Sequence, residues 1–186
     1  MGIITIGKKK FQTEEKEMNQ QELFFYVDNP RVYSTLRENG NMNPSQQEIE
    51  TLMRKTENVK ELKVQIEQNG GLIEPLIVVF RNDNYIVLEG NSRLAAYRIL
   101  AESNPAKWSK VSVQVLPEDI TETDIFTLIG TYHLVKKKDW TVYEQAAYVY
   151  RQKQLLGCPT TTLAKQVGLS VPTVKKYIEV YEFMKQ

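Results

Sequence analysis

The 186-residue chain carries one stretch whose residue types and spacing suit phosphate chemistry. "YIVLEGNSRLAAYR" (85–98) reads as a buried strand that reaches Glu89 and Gly90 and turns at once into a helix. Gly90 allows a tight turn at the joint. Asn91 or Ser92 can cap the helix, leaving other first-turn N–H groups unpaired and pointing outward. Those groups and the positive end of the helix dipole attract an anion. Arg93 adds a planar, permanently charged fork for phosphate oxygens. Glu89 is the one obvious general-base or metal candidate beside Arg93, and the scarcity of further carboxylates weakens a two-metal nuclease. The same residues also read as a plain strand–helix turn with a surface arginine.

A second stretch suits DNA. In "TTTLAKQVGLSVPTVKKYIEVYEF" (160–183), Leu163, Ala164 and Val167 form the inner face of a short helix and Gly168 supplies a turn. Ser170 can cap a second helix, Pro172 fits its first turn, and Val174 and Ile178 face the core. This is helix-turn-helix spacing, with 170–176 opening the recognition helix. Thr161, Ser170, Val171, Thr173, Lys175 and Lys176 are the residues expected at base edges and phosphates of double-stranded DNA. Residues 130–186 hold nine Lys/Arg against four Asp/Glu, whereas the rest of the chain holds fifteen against nineteen. A basic end on an acidic body suits an anionic partner. The alternatives are a solvated lysine-rich surface and a three-helix packing module.

Other chemically capable residues read as structural. His133, beside the lysine run 136–138, has the placing of a capping or packing residue. Trp140 and Tyr143 read as core, and Cys158 has no basic partner to activate it. With one cysteine and one histidine, an intramolecular disulfide framework and a zinc cluster are excluded. No apolar run approaches the roughly 18 residues of a membrane span, and the first ten residues carry their charges on the wrong side for a signal peptide. A cytoplasmic protein is expected.

The elements that must position these residues follow from periodicity. Residues 1–21 read as a loose arm or an edge strand. Residues 22–27 read as a strand stopped by Asp28, Asn29 and Pro30, and 34–44 as turn. Ser45 with Glu48 is a capping box. Apolar residues at helical spacing then run through Ile49, Leu52 and Met53, break, and resume at Val59, Leu62 and Ile66, ending at Gly70 and Gly71. Strands are expected at 74–80, 85–90 and 110–116, and helices at 91–103, 122–135 and 140–156. The expected fold class is α+β: a small mixed-sheet domain over 22–120, followed by a helical DNA-binding domain over 121–186.

The order of these features is similar to the ParB/sulfiredoxin superfamily over roughly residues 22–184. "NGGLIEPLIVV" and "YIVLEGNSRLAAYRIL" resemble its N-terminal domain, whose ParB pattern is G-L-x-x-P-I-x-V, a hairpin, then G-E-R-R-x-R-A. Gly71, Leu72 and Pro75 match the first part, and Gly90, Arg93 and Ala96 the second. "KKKDWTVYEQAAYVYRQ" resembles the ParB stretch after its third nucleotide-contact motif. Asn91 and Ser92 stand where ParB has glutamate and arginine, and Ala95 where it has another arginine. Asn91 also stands at the position of the sulfiredoxin cysteine, which removes that chemistry. The resemblance implies binding of a nucleotide triphosphate, CTP or ATP, with Mg. Its contacts would be Gly71, Leu72, Pro75, Glu89, Gly90, Asn91, Ser92, Arg93, His133, Lys136 and Lys137. It implies further double-stranded DNA as partner, a homodimer, a partner ATPase and a role in plasmid or chromosome partition or in regulation. Two other readings use the same residues: a nuclease or phosphotransferase with Glu89 as catalytic residue, or a nucleotide triphosphatase of that kind, and a transcription regulator that binds no nucleotide.

Overall fold

Leu76, Ile77, Val78 and Val79 open strand β4 (Leu76–Arg81), and all four are buried. Successive side chains of a strand point to opposite faces, so such a strand must be covered on both. The computed structural model, which describes residues 2–37, 40–41, 43–136 and 140–185, supplies both covers. Leu76 and Val78 enter one apolar cluster, and Ile77 and Val79 enter another. The fold is α+β, built on one mixed sheet of six strands.

The strands run in the order β1 (Gly2–Ile6), β2 (Lys9–Asn19), β6 (Lys110–Leu116), β4, β5 (Asn84–Glu89), β3 (Leu23–Phe25). The β6–β4 and β5–β3 pairs are parallel and the other three antiparallel. Residues 2–19 are therefore more than the loose arm or edge strand that their polarity suggested. They form a hairpin whose second strand lies inside the sheet, with Met18 and Thr13 buried. The alternation of buried and exposed positions along β2 is interrupted by glutamates and lysines, which masks it in the sequence.

One face of the sheet is covered by helices α2 (Gln46–Arg54), α3 (Glu57–Asn69), α4 (Asn91–Ser103) and the short α5 (Pro105–Trp108). Ile49, Met53, Val59, Ile66, Leu94, Leu100 and Trp108 meet Phe25, Val87 and Val113 there. The Ser45–Glu48 capping box is formed, and Gly70 closes α3 in the left-handed conformation at φ 75°. Before them lies α1 (Pro30–Arg37), in part of which a turn was expected. Asn29 Oδ1 accepts from the Arg31 N–H at 3.1 Å, so Asn29 caps a helix with proline in its first turn, and buried Val32 anchors it.

On the other face lies α6 (Glu122–Gly130), with α7 (Val142–Leu156), α8 (Thr160–Val167) and α9 (Val171–Met184) packed behind it and on one another. Ile125, Phe126, Ile129, Tyr148, Leu163 and Val174 share a cluster with Ile6, Ile77, Leu88 and Leu116 of the strands. The segment expected as a helical domain thus packs directly on the sheet. Among the described residues no helix is long and apolar enough to cross a membrane. The helix expected over 122–135 is interrupted: Thr131–Lys136 is π-helical. Thr127 and Thr131 each donate a hydroxyl to the carbonyl four residues back, at 2.9 and 2.7 Å. Such back-bonds bend helices, and Gly130 stiffens the joint least of any residue.

Candidate functional site

The expected strand–glycine–helix joint is formed, and its cap differs from expectation. The residue preceding α4 is Gly90, at φ 102° and ψ 19°, and no side chain caps the helix. Asn91 and Ser92, the expected caps, are used elsewhere. Asn91 is buried; its Oδ1 accepts from the Tyr26 N–H at 3.0 Å and its Nδ2 donates to Val87 O at 2.9 Å. It straps the end of β3 to β5. Ser92 Oγ accepts from Arg31 Nη1 at 2.9 Å. Gly90 thus offers the first-turn N–H groups of α4 no side-chain cap, and N–H groups at a helix start can receive an anion.

A cleft of about 270 Å³ opens at this helix end, lined among others by Asn29, Arg31, Asn58 and Trp140. It brings together Glu89, Gly90, Asn91, Ser92, Arg93 and His133 of the expected set. Gly71 and Leu72 line a neighbouring hollow of about 230 Å³, which shares Leu62 and Arg93 with the first. Pro75 contributes its carbonyl oxygen, 3.4 Å from Arg93 Nη1. Lys136 ends the π-helix, and Lys137 and Lys138 lie outside the described residues.

Arg93 is more committed than its sequence position suggests. Nη1 donates to Glu74 O at 2.6 Å, and Nη2 lies 3.3 Å from Glu89 Oε1. The other carboxylate oxygen of Glu89 is 2.8 Å from His133 Nε2. Glu89, 4% exposed, is thus shared between an arginine one turn along α4 and a histidine from the π-helix. His133 also stacks on Trp140, with ring centroids 4.1 Å apart and planes 9° from parallel. The π turn matters here because its extra residue rotates the chain relative to an α-helix, and such turns recur at functional sites.

Sequence reading missed Arg31 and gave Trp140 only half its place. The signal for Arg31 was present: Asn29 before Pro30 is a helix start, which sets Arg31 in a first turn. Trp140 is core, as expected, at 4% exposure, and it also walls the cleft. Its carbonyl accepts from Gln145 Nε2 at 2.7 Å, and Gln145 Oε1 accepts from the Tyr177 hydroxyl at 2.5 Å. This ties the cleft wall to α9. Arg31 Nε lies 4.0 Å from Glu144 Oε1 on α7, and Arg151 of α7 pairs with Asp28. Behind these contacts, burial pushes the phenols of Tyr26 and Tyr148 above the ordinary tyrosine value.

The second expected site has its helix pair in place. Helices α8 and α9 are joined through Gly168, at φ 71°, and Ser170 Oγ caps α9 by accepting from the Thr173 N–H at 3.2 Å. Leu163, Ala164, Val167, Val174 and Ile178 are buried, as the pattern required. Thr161, Ser170, Lys175 and Lys176 are exposed, while Thr173 is half-buried with its hydroxyl 2.7 Å from that of Ser170. Val171 is partly buried against the apolar cluster that holds Leu163 and Val174.

Neither a protein-family model nor a curated protein sequence matches the chain. Solved structures do. One is the C-terminally truncated chromosome-partitioning protein ParB from Caulobacter crescentus, complexed to the centromeric parS site. It shows 16% identity and a TM-score of 0.49 over 88% of this chain and 70% of that one. Another is a Pnob8-like ParB-N domain, at 15% identity and a TM-score of 0.51 over 84% of this chain and 51% of that one. The chain has a ParB-like fold.

Proposed function

We propose that the chain is a ParB-like DNA-binding protein, of partition or regulatory type, whose cleft binds a nucleotide triphosphate, CTP or ATP, with Mg. The observation that carries this reading is the uncapped start of α4 facing a cleft lined by Arg31, Arg93 and His133. The donor set fits a phosphate chain: backbone N–H groups and two guanidinium groups, of which Arg31 is anchored by Ser92 and Arg93 by Glu74 and Glu89. The adjoining hollow, with Leu62, Leu72 and Ile73 beside the amides of Gln65 and Asn69, suits a base and ribose. Among the described residues no group of three His, Cys, Asp or Glu could hold a metal. Magnesium would arrive on the phosphates and neutralise part of their charge. Glu89, between Arg93 and His133, positions those two groups.

Arg93→Ala is expected to weaken nucleotide binding by about 1.5–3 kcal/mol, the range for hydrogen bonds to a charged group. Calorimetric titration with CTP and with ATP, each with and without magnesium, measures this. Equal affinity of the variant and the parent protein would remove Arg93 from the site. Absence of binding by either nucleotide to the parent protein would favour a regulator without nucleotide.

DNA would be met by α8 and α9, through Thr161, Ser170 and Thr173 and through the exposed amines of Lys175 and Lys176. The ParB structure that resembles this chain is itself in complex with parS. Each lysine that neutralises a phosphate releases counter-ions, so its loss weakens binding to all sequences and lowers the salt slope by about one. Alanine at both positions should therefore reduce the slope of log affinity against log salt by about one to two. An unaltered slope would mean that the lysines face solvent. A homodimer and a partner ATPase complete the proposal, with the Trp140–Gln145–Tyr177 tie as a route by which an occupied cleft could bias α9. A ligand shifts such an equilibrium only by its differential affinity for the two arrangements.

A further inference from the structure

The two edges of the sheet are treated differently. At one edge, β3 is three residues long, and Gln46 occupies its outer side. The Phe25 N–H donates to Gln46 Oε1 at 2.6 Å, and Phe25 O accepts from Gln46 Nε2 at 3.1 Å. A side-chain amide there stands in for a neighbouring strand. At the other edge, β1 pairs with β2 alone, in an unbroken register from Gly2↔Thr13 to Ile6↔Lys9. Its sequence GIITI holds no charge and no proline, and Ile3 is 67% exposed. Charges, prolines, bulges and covering segments are the means by which proteins blunt an edge, and the described part of β1 has none of them.

A groove of about 570 Å³ runs along this edge, between β1 and the helical layer. Its apolar wall includes Ile4, Leu128 and Val135, the last 38% exposed, and Ile3 borders it from the opposite face of the strand. The charged side chains lining it are Lys8 and Lys165, and no described carboxylate does so. Gln166 also lines it, and its Oε1 is buried with no hydrogen-bond partner among the described residues.

We propose that β1 is a docking edge for an extended acidic segment of another protein, which adds as a further strand. Its backbone would pair with β1, and the side chains on its helix-facing side, apolar and acidic in turn, would enter the groove beside Leu128 and Val135 and meet Lys8 and Lys165. Strand addition of this kind takes affinity from main-chain hydrogen bonds and specificity from alternate side chains. Charge decides between a foreign strand and a second copy of this chain. A second copy would bring to the groove only the same pair of lysines, while Glu15, beside Gly2, lies at the far end of the strand from Lys8.

The test uses the full chain and a fluorescein-labelled eight-residue peptide of two glutamates and two valines in turn, which presents both residue types on each face of a strand, read by anisotropy. A lysine–valine peptide is the control. The glutamate peptide should bind, and the lysine peptide should bind at least about tenfold more weakly, because like charges across an interface are strongly penalised. Ile3→Glu, and separately Lys8→Glu with Lys165→Glu, should each weaken the glutamate peptide by about tenfold or more. All three positions are exposed, so melting temperatures should hold. Hydrogen exchange on the unmodified protein gives a readout that needs no variant: residues 2–6 should exchange more slowly with the glutamate peptide bound. The proposal is overturned if the glutamate peptide fails to bind, if the variants bind it equally well, or if light scattering finds a dimer that Ile3→Glu splits. The last result would assign the edge to a second copy.

Discussion

Glu89→Ala is expected to lower the unfolding free energy by about 3–5 kcal/mol, the cost of removing one partner from a buried ionic group. The carboxylate is 5% exposed, and it lies 3.3 Å from Arg93 Nη2 and 2.8 Å from His133 Nε2. Its loss leaves a guanidinium held only by backbone carbonyls and an imidazole without its acid partner. Glu89→Gln keeps one oxygen for Arg93 and should cost less. Urea unfolding monitored by circular dichroism measures both as a fall in midpoint at constant slope. A loss under about 1 kcal/mol for the alanine variant would show that the three groups are solvated, since exposed ion pairs contribute no more than that. Because Glu89 joins the first turn of α4 to the π-helix, the same variant should loosen the wall of the cleft along with the core.

Gly90→Ala is expected to be nearly as damaging, for a steric reason. The residue has φ 102°, where L side chains are strained, and an added Cβ would come within 2.5 Å of Leu76 Cδ2 and 3.1 Å of Arg93 Nη2. Backbone strain costs about 1–3 kcal/mol and overpacking about 1–3 kcal/mol more, which together come to about 2–6 kcal/mol. Gly157→Ala is the matched control. It also has positive φ, 57°, but its Cβ would meet nothing within 4 Å, so it carries strain alone. Equal losses for the two variants, measured by the same urea titration, would mean that β4 and α4 do not approach as closely as the geometry requires.

Much of this protein was legible along the chain, because the signals are local. A buried strand that becomes a helix at glycine, a serine or threonine three residues before a glutamate, and apolar residues three and four apart are each read within a dozen residues. The strands at 76–81, 84–89 and 110–116, helix α4, the Ser45–Glu48 capping box and the α8–α9 pair follow from such signals. So does the gathering of Glu89, Gly90, Ser92 and Arg93, which are neighbours in sequence.

What lay beyond the sequence depends on residues far apart meeting. Side-chain alternation showed that β4 is buried on both faces, but not that α6, with the helices packed behind it, would cover the second. Strand β2 pairs with β6, some hundred residues away, and loop closure over that span leaves no local trace. Helix α6 turns π-helical after Gly130, where an added Cβ would strike Val167 Cγ1 at 2.5 Å, a contact set by the packing of α8. That turn carries His133 to Glu89 and onto Trp140. A single histidine in a lysine-rich stretch has no partner within reach of any helical period, so its role was decided by tertiary packing alone. The residues of the phosphate-binding helix start were determined by the chain itself. Which side chains would cap it, wall it and neutralise it was decided by the meeting of β3, α1, α4 and the π-helix. Hydrogen bonds and ion pairs act over a few ångströms in space, whatever their separation along the sequence.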